Sequence, residues 1–231
     1  MLQKSVEIPE IGVVTLVKHP RARSLRITLL PQGKVRISLP RWLPFSAGIE
    51  FAKSRADWIE AHRTQVVCIN DGAAVGKAHH IFFRQTPDVV APKKTVKNNQ
   101  ITILHPLDLT STDPAVQALA RKVAISILRE QSNTLLPPRL QNLAKKHALS
   151  YKSVHIRQLK ARWGSCTNQA DITLNLFLIQ LPWDLIDYVL LHELTHTRHM
   201  HHGKDFWDAF EQILPNAKKL RKAIRTYSPS I

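Results

Sequence analysis

The sequence predicts an α+β fold, in which a β-rich N-terminal region precedes a more helical part with a small mixed or antiparallel sheet. Three observations predict it. Apolar and polar residues alternate over 24–39 and again within 75–104, the period of a half-buried strand. From residue 114 onward apolar residues recur every three to four positions, the period of an amphipathic helix. Near the C-terminus an apolar helical stretch opening at Pro182 runs into a cluster of histidines.

The elements follow in order. Residues 11–17 form a first strand. Residues 24–30 put Leu25, Ile27 and Leu29 on one face, and residues 34–39 do the same with Val35, Ile37 and Leu39. The turn Pro31-Gln32-Gly33 makes these two a hairpin. Arg21, Arg23, Arg26, Lys34 and Arg36 stud this region and read as a solvated face, with phosphate binding as the alternative. Residues 46–66 read as one helix, with Ser46 as N-cap, a stripe of Ile49, Ala52, Ala56 and Ile59, and Trp58 packing on the hairpin. Strands return at 75–84 and 95–104, with turns at Pro87, Pro92, Asn98 and Asn99. His79 and His80 lie in the first of these and read as structural or exposed.

The polar connection 106–114 divides a β-rich region, 1–112, from a catalytic domain, 113–231. Asp113 caps a helix from Pro114 to about residue 136, apolar at Val116, Leu119, Val123, Ile127 and Leu128. Pro137-Pro138 is expected to break it before a second helical stretch ending at His147. Residues 151–159 and 171–178 read as extended, and Trp163-Gly164-Ser165-Cys166 between them as a packed turn. The segment 171–178, beside the cleft, is expected to accept an extended peptide by strand addition. A helix from 183 to 191 running into the histidine cluster, then helices at 205–214 and 216–226, complete the chain, with no internal repeat.

Composition narrows the partners. A net charge of +16 favours polyanions, whether nucleic acid, nucleotides or anionic surfaces, with a basic but inert surface as the alternative. Two cysteines, Cys68 and Cys166, make no disulfide framework. Residues 1–7 lack the apolar core of a secretory signal, and no run approaches the roughly 18 apolar residues of a membrane span. A soluble cytoplasmic protein is expected, without membrane association; oligomeric state is left open.

The chemistry concentrates in His192-Glu193-Leu194-Thr195-His196. Histidines four apart on a helix share one face, one turn apart, and two imidazoles can grip one metal ion. Zinc suits them, because it takes imidazole ligands and keeps a position open for water. Glu193 can serve that water as general base. Ile186, Leu190 and Leu194 fall on the opposite side of the helix, toward a core. A third ligand is needed, and His199, His201 and His202 are the candidates. His199 continues the same helical face, where three ligands rarely converge. His202 folds back if the helix stops near Met200 and Gly203 supports a turn, which makes it the favoured third ligand. That leaves His199 as a group near the metal or substrate and His201 as solvated.

These residues, with Gly203, Phe206-Trp207, Arg162-Trp163-Gly164-Ser165-Cys166, Leu174-Asn175 and Asp187-Tyr188-Val189, resemble the YgjP-like metal-dependent hydrolases. That family is grouped with the zincin metallopeptidases and is similar to the SprT type. The resemblance implies a zincin-like catalytic domain, His192, His196 and His202 as ligands of one Zn2+, and Glu193 as catalytic acid/base. The expected activity is zinc-dependent hydrolysis of a peptide or protein. Arg157, Lys160, Arg162, Asn175 and His199 are the candidates for binding substrate, with tying the edge segment to the helix as the alternative for Asn175. Two other functions use the same residues. One is a metal-dependent nucleoside triphosphate pyrophosphohydrolase, with Arg157, Lys160 and Arg162 on the phosphates. The other is a basic nucleic-acid-binding module with a structural metal.

Overall fold

The structure is a computed structural model that describes residues 3–20, 22–29, 35–62 and 68–231. The expected turn at 31–33, Arg21, Leu30, Lys34 and the helix end at 63–66 lie outside the described residues. The chain forms two compact units, Met1–Cys68 and Ile69–Ile231.

The first unit is a four-stranded sheet with two helices. Its strands are β1 (Gln3–Ile8), β2 (Gly12–His19), β3 (Arg26–Leu29) and β4 (Val35–Pro40), in the order β1-β2-β4-β3. The outer pairs are antiparallel and the central pair, β2 with β4, is parallel. β1 has no counterpart in the sequence reading because only Ile8 of its six residues is buried, so no alternation marks it. Val14, Leu16, Ile37 and Leu39 fill the core between the sheet and α1 (Phe45–Lys53), where Gly48 packs against Leu16. The single helix expected over 46–66 is two, α1 and α2 (Ala56–His62). Ser54 ends α1, its hydroxyl donating back to the carbonyl of Phe51. Pro44, not Ser46, stands at the N-cap, and Trp58 is exposed, stacked on His62.

The second unit opens with β5 (Ala73–Val75), β6 (His79–Gln85), β7 (Lys93–Lys97) and β8 (Gln100–His105), in the order β5-β6-β8-β7. Two antiparallel pairs again flank a parallel one, so the arrangement of the first sheet recurs strand for strand. The repeat escaped the sequence reading because it is one of topology, set by pairing rather than by matching residues. Asn98 and Asn99 both take left-handed backbone, as a two-residue hairpin turn requires.

Helix α3 (Pro114–Lys146) runs unbroken through Pro137 and Pro138. Each proline frees the carbonyl four residues back, on Asn133 and Thr134. Both of those residues are exposed, so water can take the freed carbonyls, while Leu136 and Leu140 hold the helix to the core. The carboxylate of Asp113 does not cap this helix; it accepts from the amide and hydroxyl of Thr110. Val75, Ile81, Ile101 and Ile103 share one core with Val116, Ala120 and Ala124, so the division expected at 112/113 falls inside the second unit.

Gln131 ties α3 to the β5–β6 turn. Its Oε1 accepts from the amide of Lys77 (2.6 Å), and its Nε2 lies 3.1 Å from the carbonyl of Val75 and 3.0 Å from Nδ1 of His79. Gln131→Ala orphans these groups and is expected to cost about 2 kcal/mol, read as a lower urea midpoint at unchanged slope. A midpoint equal to wild type would show that the turn holds without it.

The remainder builds the platform for the histidines. Strands β9 (Ser153–Arg157), β10 (Gly164–Cys166) and β11 (Asp171–Asn175) form a mixed sheet in the order β10-β11-β9. β11 is thus central, with both edges paired, and cannot receive a peptide as expected for 171–178. Its strand conformation ends at Asn175, and Leu176–Gln180 tighten into a buried 3-10 turn. Within the segment 163–166, Gly164–Cys166 form not a turn but the edge strand β10. Helix α4 (Trp183–His196) is apolar on nearly every side and buried accordingly. Arg139 of α3 clamps it through a bidentate pair with Asp187, at 2.5 and 2.7 Å. Helices α5 (Lys204–Ile213) and α6 (Ala217–Ile224) follow. Among the described residues no helix is long and apolar enough to cross a membrane.

Candidate metal centre

α4 delivers His192 and His196 from its last turn, because Ile186, Leu190 and Leu194, all fully buried, fix its other side in the core. The helix stops at His196. At this end the hydroxyl of Thr197 donates to the carbonyl of Leu194. The chain then doubles back, and His202 returns beside the helix. Gly203 is not what makes this possible. Its φ is −74° and an added Cβ would meet nothing within 4 Å. The return is anchored by Trp207, whose indole N–H donates to the carbonyl of His202 and whose ring stacks on the His202 imidazole.

The three Nε2 atoms converge. His192 and His202 are 3.0 Å apart, and His196 is 3.2 Å from each. Nδ1 of His196 faces the carbonyl of His199 at 3.0 Å, so it carries the proton and leaves a lone pair on Nε2. Lone pairs aimed at one point repel unless a cation lies between them. Zinc–nitrogen bonds of about 2.0–2.1 Å in tetrahedral geometry set ligand nitrogens roughly 3.3 Å apart, close to the spacing found. The residues therefore fit a metal ion held by three imidazoles with a fourth position open. His192 is oriented by packing, since its Nδ1 is buried without a hydrogen-bond partner and its ring lies among Tyr188, Phe206 and Phe210. Burial, with His196 and His202 adding to it, lowers its pKa to about 3 and keeps the imidazole neutral.

Glu193 is 5% exposed, and no hydrogen bond or ion pair engages it among the described residues. Burial pushes its carboxyl up to about 8, opposed only by the guanidinium of Arg162. A buried carboxylate without a partner is costly and is characteristic of functional sites. β10 walls it in. A Cβ at Gly164 would stand 2.7 Å from Oε1 and 2.9 Å from Cγ of Glu193, so only glycine lets the strand pass this close.

The other predicted residues divide. Arg162 is exposed beside Glu193, at the entrance to β10. Arg157 and Lys160 are exposed, and no hydrogen bond or ring contact joins them to the histidines among the described residues. Asn175 is fully buried: its Nδ2 donates to the carbonyls of Leu159 and Arg162, and its Oδ1 accepts from the amide of Phe177. With every hydrogen-bonding hydrogen committed, it positions the 159–162 loop instead of facing substrate. His199 enters through its backbone carbonyl, not its ring. Cys166 stays outside the histidine cluster, a thiol pushed up to about 11 by burial. Two neighbours went unread in the sequence. Tyr188, one turn before His192, stacks on it, a position the four-residue spacing could have revealed. Arg221 lies over Trp207 at 4.4 Å, and nothing in the basic run of α6 singles it out.

No curated protein matches the chain. Among solved structures, the metallopeptidase zymogen abylysin of Pyrococcus abyssi is 26% identical, covering 40% of this chain and 93% of its own, with a TM-score of 0.37. The metallopeptidase zymogen jannalysin of Methanocaldococcus jannaschii is 16% identical, covering 39% of this chain and 94% of its own, at 0.36. The sequence model of the YgjP-like metallopeptidase domain matches residues 23–227, nearly the whole chain. The chain therefore belongs to the YgjP-like family of metallopeptidase domains and is a metal-dependent hydrolase.

Proposed function

We propose that this chain is a zinc metallopeptidase that cleaves peptide bonds, holding one Zn2+ through His192, His196 and His202 and using Glu193 as general base. The observation that carries the reading is the convergence of three imidazole nitrogens beside a buried, unpartnered carboxylate. A zinc ion held there would polarise the scissile carbonyl and make water nucleophilic near neutral pH. Glu193 takes the proton of the attacking water and delivers it to the leaving amine. Its apolar surroundings favour the protonated carboxyl, so the proton is retained between the two transfers. β10 is an edge strand packed on α4, and an extended peptide pairing with it would pass Glu193. Arg162 supplies the positive charge at that end of the cleft.

A nucleoside triphosphate would use the same histidines, with Arg162 on its phosphates. A structural metal would leave the partnerless Glu193 without a purpose. The test is metal analysis together with a substrate screen on the purified protein. We expect one zinc per chain and chelator-sensitive cleavage of an unfolded protein such as reduced casein. Triphosphate hydrolysis without proteolysis would overturn the peptidase reading. Absence of bound zinc after reconstitution would overturn the site itself.

Zinc should also act on stability. At a free concentration a thousandfold above its Kd, a ligand specific for the folded state contributes about 4 kcal/mol, on the order of 10 °C in Tm for a chain of this size. His202→Ala is expected to remove most of that shift, because two imidazoles from one helix leave the ion half-held. An undiminished shift in this variant would show that His202 is not a ligand.

A further inference from the structure

The first unit carries a feature that the metal centre does not use. Between Glu10 and Glu50 the sequence holds seven Lys and Arg residues and no Asp or Glu. The fold gathers part of this charge at β3, an edge strand of its sheet. Arg26 pairs with Ser38 across the β3–β4 ladder. With His19, Ala22, Arg23 and Ser24 they line a recess of about 440 Å³ that has no carboxylate in its walls among the described residues. Arg23 and Arg26 are exposed, and neither is engaged by an acidic group among the described residues. Two arginines and two serines lining one space supply the kind of donors that phosphate recognition uses.

A second recess, of about 310 Å³, adjoins the first. Leu25, Ile27, Phe51, Arg55 and Trp58 line it, and Arg26 is common to both. Apart from the two arginines its walls are apolar and aromatic. Trp58 is 44% exposed, and its ring lies on that of His62, with centroids 4.5 Å apart and planes 18° apart. An indole held flat at the surface beside a cationic recess is the pairing of stacking platform and backbone charge used to bind unpaired nucleotides.

We propose that the β3 edge of the first unit binds single-stranded nucleic acid, with a backbone phosphate in the Arg23–Arg26 recess and a neighbouring base at Trp58. A duplex keeps its base faces stacked inside and would leave the aromatic recess unused. A free phosphate would use only the first recess. The shared Arg26 fits a phosphate and a base of one strand lying side by side. The site lies wholly within the first unit and does not depend on the reading of the metal centre.

The test titrates fluorescein-labelled (dT)20 with the full chain by anisotropy, at several salt concentrations. Wild type is expected to bind the single strand more tightly than a duplex of the same length. Arg23→Glu/Arg26→Glu should weaken binding at least about tenfold and flatten the log–log salt dependence by about 0.7, for the one phosphate no longer neutralised. The milder Arg23→Gln/Arg26→Gln should fall between this pair and wild type. Trp58→Ala should weaken binding about tenfold with the salt slope unchanged, the signature of lost stacking. Lys93→Glu/Lys94→Glu is the control. It changes net charge equally, at the topologically equivalent edge strand β7, which is exposed throughout. It should cost less than about threefold. The proposal is overturned if (dT)20 does not bind or if the duplex binds as tightly. It is equally overturned if the control weakens binding as much as the arginine pair, or if Trp58→Ala binds like wild type.

Discussion

Glu193→Gln is expected to lower the peptide-bond turnover of the zinc-loaded protein by about 10²- to 10⁴-fold, with one zinc per chain retained. Gln keeps the size and shape of the side chain, so it fits the same space against Gly164. It cannot accept the proton of the attacking water. The three imidazole nitrogens are untouched, which separates loss of the base from loss of the metal. The substitution also has a thermodynamic signature in the metal-free protein. Burial raises the Glu193 pKa from its unfolded value near 4.5 to about 8. Between those values the folded state binds the extra proton, so wild-type stability falls as pH rises through this window. The Gln variant lacks that fall, and the difference between the two proteins cancels the histidines they share. Turnover within tenfold of wild type would remove Glu193 as the base, whatever the stability curves show.

The histidine site was legible because it is local. Spacing of four on a helix, an apolar far side and a following return are all properties of residues 183–207 read in order. The cause assigned to the return was not legible. Gly203 marked a turn in the sequence, but its backbone needs no glycine, and it is Trp207 that holds the returning chain at the His202 carbonyl. Proline misled in the same way at 137–138. Its cost in a helix depends on where the freed carbonyls point, and exposure at Asn133 and Thr134 is a tertiary fact. The order of the third sheet was also hidden. Its strands are short, and nothing in residues 171–175 says that β9 and β10 flank them on both sides. For Asn175 the sequence left a structural tie and a substrate contact equally open; its three hydrogen bonds reach segments 13 and 16 residues back and one residue two ahead. The β-rich first unit was visible as strands, yet β1 was not, since a strand with one buried residue has no pattern to show.

Gly164→Ala is expected to cut turnover by about 10²-fold with zinc stoichiometry intact and Tm within a few degrees of wild type. The added methyl would overlap Oε1, Cγ and Cδ of Glu193, at 2.7, 2.9 and 3.0 Å. One of the two elements has to move. β10 is fixed by its ladder to β11, while the Glu193 side chain has rotatable bonds and no hydrogen bond to hold it. The carboxylate is therefore the part that yields, by about an ångström, and the histidines stay where the core places them. Gly203→Ala is the matched control, because it adds the same methyl into open space at a backbone angle any residue adopts. Turnover near wild type in Gly203→Ala and reduced in Gly164→Ala would assign the loss to the displaced carboxylate. Equal turnover in both would mean that Glu193 tolerates displacement, which a base held for proton transfer does not. A glycine read from the sequence as part of a packed turn would then be setting nothing, and the close approach of β10 to α4 would serve packing alone.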